Sequence, residues 1–192
     1  MQNSKIKTMV LISLFSALAY VAMLFDFPLP FFPPFLKFDI SDVFIFISGI
    51  ILGPYPMIAV ILLKNFLHWM TKGAELGIPI GQLSSILSSL SFTLPAYYFW
   101  NKNKDKNNGE SKKNNIVALV IGMLSMTVIM LIANYFLILP VYFKLGDIPL
   151  PANYLGYVIF TYGPFNLIKS GVVSLLIILV FPTVKNKMSQ MK

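Results

Sequence analysis

Cysteine is absent from the 192 residues, so disulfides, thiolate metal sites and cysteine nucleophiles are excluded. Arginine is absent as well: all fifteen positive side chains are lysine, against seven acidic ones, for a net charge of +8. Charged residues make up only 11% of the chain, and the single histidine, His68, makes no metal centre by itself. No GxxxxGK[ST] motif occurs, which rules out ATP use through a Walker-type loop. What remains is apolar: 57% of the residues are hydrophobic, and runs near or above about 18 residues recur, the signature of an integral membrane protein. The lysines stand at the ends of these runs instead of gathering on a soluble module, so they speak for membrane topology and not for nucleic-acid binding.

The pattern predicts an all-α membrane protein of one domain over residues 1–192, with helices near 8–25, 43–52, 57–70, 83–100, 116–142 and 157–184. Lys5 and Lys7 followed by an apolar run and Ala17-Leu18-Ala19 resemble a signal peptide, but the run continues to Phe25 and favours an uncleaved first helix. The stretch 43–70 is ambiguous, because "GPYP" at 53–56 divides it into two pieces that are each short for a bilayer. Lysine distribution resolves the count. With six transmembrane helices and both termini cytoplasmic, ten lysines fall inside and Lys37, Lys72 and Lys144 outside, whereas five helices would strand most of them outside. The low-complexity segment 101–115 then becomes a solvated cytoplasmic linker.

Between the first two helices lies "FPLPFFPPFLKFDISDV", residues 27–43, with four prolines that forbid a helix and five phenylalanines that seek burial. A proline-stiffened loop at the outer face loses little entropy on closing and reads as an aromatic lid. Polar residues at membrane depth point to what it covers. Lys64, Asn134, Asn166 and Lys169 all fall in the outer half of their spans, and Tyr162, Asn166, Lys169 and Val173 share one face of the last helix. Lys64 is long enough to snorkel outward, and a lone intramembrane Asn can be helix glue. Lys169 is too deep to snorkel, and no acidic residue lies in the four long runs, so it is expected to lack a protein partner and to meet a ligand bearing acceptor atoms. The expected pocket has helices 3, 5 and 6 as walls. Ser84, Ser85, Ser88 and Ser89 on helix 4 read as packing residues. With His68 near the surface and the acids in loops, no catalytic residue and no metal site is expected, which leaves a small membrane enzyme as a remote alternative.

The run from Phe35 to Gly73 resembles the substrate-binding S components of energy-coupling factor vitamin transporters, most closely those specific for riboflavin. The resemblance rests on Leu36-Lys37-Phe38-Asp39-Ile40-Ser41-Asp42-Val43, on Gly53-Pro54, on Lys64-Asn65-Phe66-Leu67-His68, and on the Tyr162, Phe165, Asn166 and Lys169 pattern of the last helix. Phe44 stands where the family has proline. The resemblance implies high-affinity riboflavin uptake across a bacterial cell membrane, with the vitamin as transported ligand and no cofactor. It implies a site formed by Leu36, Phe38, Asp39, Lys64, Asn134, Tyr162, Asn166 and Lys169. It also implies a transmembrane coupling subunit and two ATPase subunits as partners, with the small-residue strip Ser13 and Ala17 on helix 1 as the docking face. Another vitamin or a flavin nucleotide remains as an alternative ligand; cationic thiamine is disfavoured by the lack of acidic residues in the long spans.

Overall fold

The computed structural model describes residues 2–33, 35–74, 77–106 and 112–190. Pro34 of the loop, residues 107–111 of the linker and Lys192 lie outside the described residues, as do the side chains of Lys104, Lys106 and Lys187. The chain folds as α1 (Gln2–Leu24), a two-stranded hairpin of β1 (Phe27–Pro28) and β2 (Lys37–Phe38), α2 (Ser41–Leu52), α3 (Pro54–Lys72) and α4 (Ile80–Lys106). Then come α5 (Lys112–Ala133), α6 (Leu139–Leu145), α7 (Tyr154–Tyr157) and α8 (Gly163–Gln190). Short π-helical turns at Asn134–Ile138 and Val158–Tyr162 join α5 to α6 and α7 to α8, so each pair forms one rod.

The helices outrun the apolar windows that predict them, because the bilayer fixes the length of the hydrophobic stretch and not that of the helix. At Gly53 the chain turns between two helices, and residues 54–56 already form the first turn of α3. Gly53 takes φ 99°, a left-handed conformation that glycine adopts without penalty, and Pro54 opens α3 where its missing N–H is not needed. Among the described residues, Lys5–Leu24, Lys112–Leu145 and Tyr154–Lys185 are both long and apolar enough to cross a membrane. The polar residues Lys64, Asn65 and His68 dilute α3, and serines and a lysine-rich end dilute α4.

At 12 residues α2 is about 18 Å long, and it is wrapped by α1, α3, α4 and α8. Eight of those residues are buried, including Ser41, Asp42 and Ser48, so this short helix carries polar groups into the middle of the bundle. Helices α4 and α5 approach closely at Gly122, where a Cβ would meet the Phe92 carbonyl oxygen at 2.7 Å. Beneath lies an aromatic core in which the Trp100 ring packs edge-on against Phe46 at 5.4 Å and Phe181 at 4.9 Å. On α1 the exposed side chains Val10, Ser13, Leu14, Ala17 and Val21 form a continuous outward face.

Candidate functional site: a polar cavity beneath a phenylalanine-rich hairpin

The described residues of the segment 27–38 contain no helix, and its two ends pair as a hairpin, in keeping with its prolines. Phe27 pairs with Phe38 and Pro28 with Lys37, and the Phe27 and Phe38 rings lie 5.4 Å apart. At its tip Phe31 takes φ 70° and is fully exposed. Its other rings hold it to the last helical rods: Phe32 packs on Phe165 at 5.5 Å and Phe35 on Tyr142 at 4.9 Å. The ion pair from Lys37 to Asp26, at 3.5 Å, staples its base.

Under the hairpin is a cavity of about 130 Å³. Leu36, Asp39, Asn134, Tyr162, Asn166 and Lys169, expected from the sequence, all line it. The shared face of Tyr162, Asn166, Lys169 and Val173 is buried as the helical period predicts. The two asparagines are held alike: each Nδ2 donates to the carbonyl four residues back, Asn134 to Met130 and Asn166 to Tyr162, both at 2.7 Å. Among the described residues, one N–H and the oxygen of each amide are left over.

Both rods widen beside these asparagines for the same reason. Pro140 and Pro164 cannot donate to the carbonyls of residues 136 and 160, and their rings crowd those carbonyls, so the turns before them open to π geometry. The Tyr154 hydroxyl donates to the Tyr135 carbonyl at 2.8 Å and the Asn134 carbonyl at 3.3 Å, satisfying groups near the wide turn.

The expectation that Lys169 lacks a protein partner is overturned. Its Nζ donates to Asp39 Oδ2 at 2.8 Å, across 130 residues of sequence, and both side chains are buried. The acid comes from the loop and not from a helix, which is why a search of the apolar runs passes over it. Asp39 Oδ1 also accepts from the Ser41 backbone N–H at 2.9 Å and from the Ser41 hydroxyl. Burial works to raise the Asp39 carboxyl, but the Lys169 and Lys64 ammoniums together with its hydrogen bonds override it and hold it below the usual carboxylate range.

Lys64 corrects a second expectation. It does not snorkel: its exposure is 0%, and its Nζ donates to Ser41 Oγ at 2.5 Å and Ser89 Oγ at 3.4 Å, with Asp42 at 3.9 Å. Ser89 in turn donates to Asp42. Lys64 therefore belongs to a buried network under the cavity and not to its wall. Two lysines and two aspartates there balance in charge, as a low-dielectric interior demands. Phe38 is likewise buried beside the cavity without lining it.

The wall also contains residues that sequence reasoning missed. Helix α4 contributes Gln82, Ser84, Ser85 and Ser88, so these serines are not packing residues alone. Gln82 Nε2 bonds to His68 Nδ1 at 3.2 Å and to the Gly73 carbonyl at 3.0 Å, while Gln82 Oε1 and Ser85 Oγ are buried and have no partner among the described residues. Unsatisfied polar atoms against a cavity are a mark of a binding wall. The polar run "GQLSS" at 81–85, at the start of α4, is the signal that could have marked this end of the helix as polar. Among the described residues no cluster of three metal-ligating acids or histidines occurs.

Comparison with known proteins agrees with this architecture. Residues 7–181 match the family described as ECF transporter, substrate-specific component. The chain is 34% identical to the riboflavin transporter FmnP of Bacillus subtilis (strain 168), covering 98% of this chain and 97% of that one. It is 37% identical to the riboflavin transporter RibU of Staphylococcus aureus (strain TCH60), over 94% and 91% of the two chains. A solved structure of the S component of a bacterial ECF transporter superimposes with a TM-score of 0.79 at 34% identity, covering 98% of this chain and 99% of the other. With the match spanning nearly its whole length, the chain belongs to the substrate-specific components of ECF transporters.

Proposed function

We propose that this chain binds riboflavin in the cavity beneath the hairpin and delivers it across a bacterial cell membrane, energised by a separate ATPase module. The observation that carries the reading is the wall of Asn134, Asn166 and Lys169 under an aromatic cover, in a family whose relatives named above are riboflavin transporters. The isoalloxazine ring is flat, with an edge of alternating acceptors and a donor. The spare N–H and oxygen of each asparagine match that edge, and Lys169 has two further N–H donors beyond the one Asp39 takes. Tyr162, Phe165 and the hairpin phenylalanines suit the ring faces. Leu36 and Phe38 shape the cover, while Asp39 and Lys64 act through the buried charge network.

A drug-sized ligand needs about 300–1,000 Å³, more than the cavity of about 130 Å³ offers. Binding therefore requires the hairpin to swing outward, with the Lys169 to Asp39 pair as its latch. The vitamin is cargo and not a cofactor, and the role is binding and not catalysis.

Six spans, with both termini cytoplasmic and the proline-rich hairpin outside, complete the reading. The outward face of α1 around Ser13 and Ala17 receives a transmembrane coupling subunit that carries two ATPase subunits. Purified protein titrated with riboflavin and thiamine tests the ligand. Bound flavin is expected to colour the preparation yellow, absorbing near ~450 nm as the isoalloxazine chromophore does. Tighter binding of thiamine would defeat the assignment.

A further inference from the structure

At the end of the bundle opposite the hairpin, a second cavity of about 410 Å³ opens between α4, α5 and α8. Its aromatic floor is Trp100 and Phe181, and its walls are Ile116 and Ile178. Pro182 lines it too, and inside α8 it withholds the N–H that the Ile178 carbonyl expects. Two exposed ammonium groups, Lys112 from the first turn of α5 and Lys185 from the far end of α8, stand on its rim with Asn115. The cavity is thus apolar within and cationic at its mouth, at the level where apolar helices give way to lysine-rich ends.

Trp100 adds an observation that packing alone does not explain. Its side chain is 1% exposed, yet among the described residues its indole N–H finds no acceptor. An indole nitrogen can only donate, and a buried unpaired donor is costly. The missing acceptor, the greasy walls and the paired cations together specify one ligand chemistry: an anion on an apolar body with an acceptor between the two.

We infer that this cavity seats one anionic glycerophospholipid of the surrounding leaflet. Its phosphodiester lies between Lys112 and Lys185, an ester carbonyl accepts from the Trp100 indole, and an acyl chain runs along Ile116 and Ile178. A free phosphate would serve the lysines but leave the indole and the walls uncovered. The seated lipid bridges α4, α5 and α8 where the polar linker enters the bundle.

The test uses the full chain with Trp69→Phe, which leaves Trp100 as the only tryptophan. The protein is placed in phosphatidylcholine nanodiscs, and Trp100 quenching is read as brominated phosphatidylglycerol or brominated phosphatidylcholine is added. Half-maximal quenching is expected at about thirtyfold lower mole fraction of the anionic lipid, since each lysine at an anionic surface is worth roughly a factor of five. In Lys112→Gln/Lys185→Gln the two lipids should quench alike, and native mass spectrometry should show the retained anionic lipid lost. Glycerol phosphate added to the nanodiscs should displace nothing. Equal quenching of the Trp69→Phe protein by both lipids, or a preference that survives the double substitution, overturns the inference. Displacement by glycerol phosphate overturns it in favour of a soluble anion. Should the double variant fail to fold, the comparison of the two lipids on the Trp69→Phe protein decides alone.

Discussion

Breaking the Lys169 to Asp39 pair should cost more than losing one contact, because the pair is half of a buried, charge-balanced cluster. Asp39→Asn leaves Lys64 and Lys169 facing Asp42 alone, and Lys169→Met leaves two carboxylates against Lys64. Each single variant thus strands one net charge among side chains that are at least nine-tenths buried. Removing one partner of a buried pair costs about 3–5 kcal/mol, and a chain of this size loses roughly 2–4 °C of midpoint per kcal/mol on soluble-domain scaling. Thermal unfolding in detergent should therefore fall by roughly 6–20 °C for either single variant. The double variant restores neutrality and should recover about 1–3 kcal/mol relative to the sum of the singles, the size of coupling expected for residues in contact. The same four proteins titrated with riboflavin report the latch: Lys169→Met, which removes ligand donors as well as the latch, should bind more weakly than Asp39→Asn, which opens the latch and keeps those donors. A double variant whose loss equals the sum of the singles would refute the charge-balance argument, and a loss under 1 °C in either single would refute burial of the pair.

Because the folded Asp39 carboxyl is held below its ordinary value of 3.8, its contribution is fully present above that pH and is lost as pH falls toward the folded value. The stability gap between wild type and Asp39→Asn should be constant from pH 7 to 5 and narrow below about pH 4; a gap that narrows between pH 7 and 5 would contradict the shift. Asn166→Leu should insert normally and weaken riboflavin binding by about 1–3 kcal/mol, as a buried ligand acceptor loses its donor; unchanged affinity would make Asn166 helix glue. Ala17→Trp should abolish uptake while leaving riboflavin binding intact, and normal uptake would remove α1 from the coupling interface. A tag after Lys106 should be protected from impermeant labels in intact cells and one near Gly146 accessible, with labelling at 106 the result that would sink the six-span topology.

The sequence by itself determined the fold class, because apolar runs, lysine-flanked ends and a proline-blocked loop act locally and read in order along the chain. It also determined one face of the cavity, since the helical period alone aligns Tyr162, Asn166 and Lys169. Only the tertiary structure decided their partners. Asp39 meets Lys169 across 130 residues, and Ser41, Asp42 and Ser89 converge on Lys64, because the short α2 is wrapped by α1, α3, α4 and α8. The contribution of α4 to the wall was equally hidden, since serines and a glutamine look alike in a packing face and a binding face until the neighbouring helices are in place. Periodicity fixes which way a side chain faces on its own helix. What it faces is set by packing between segments far apart in the chain, where a buried charge is tolerable only once its counter-charge has arrived.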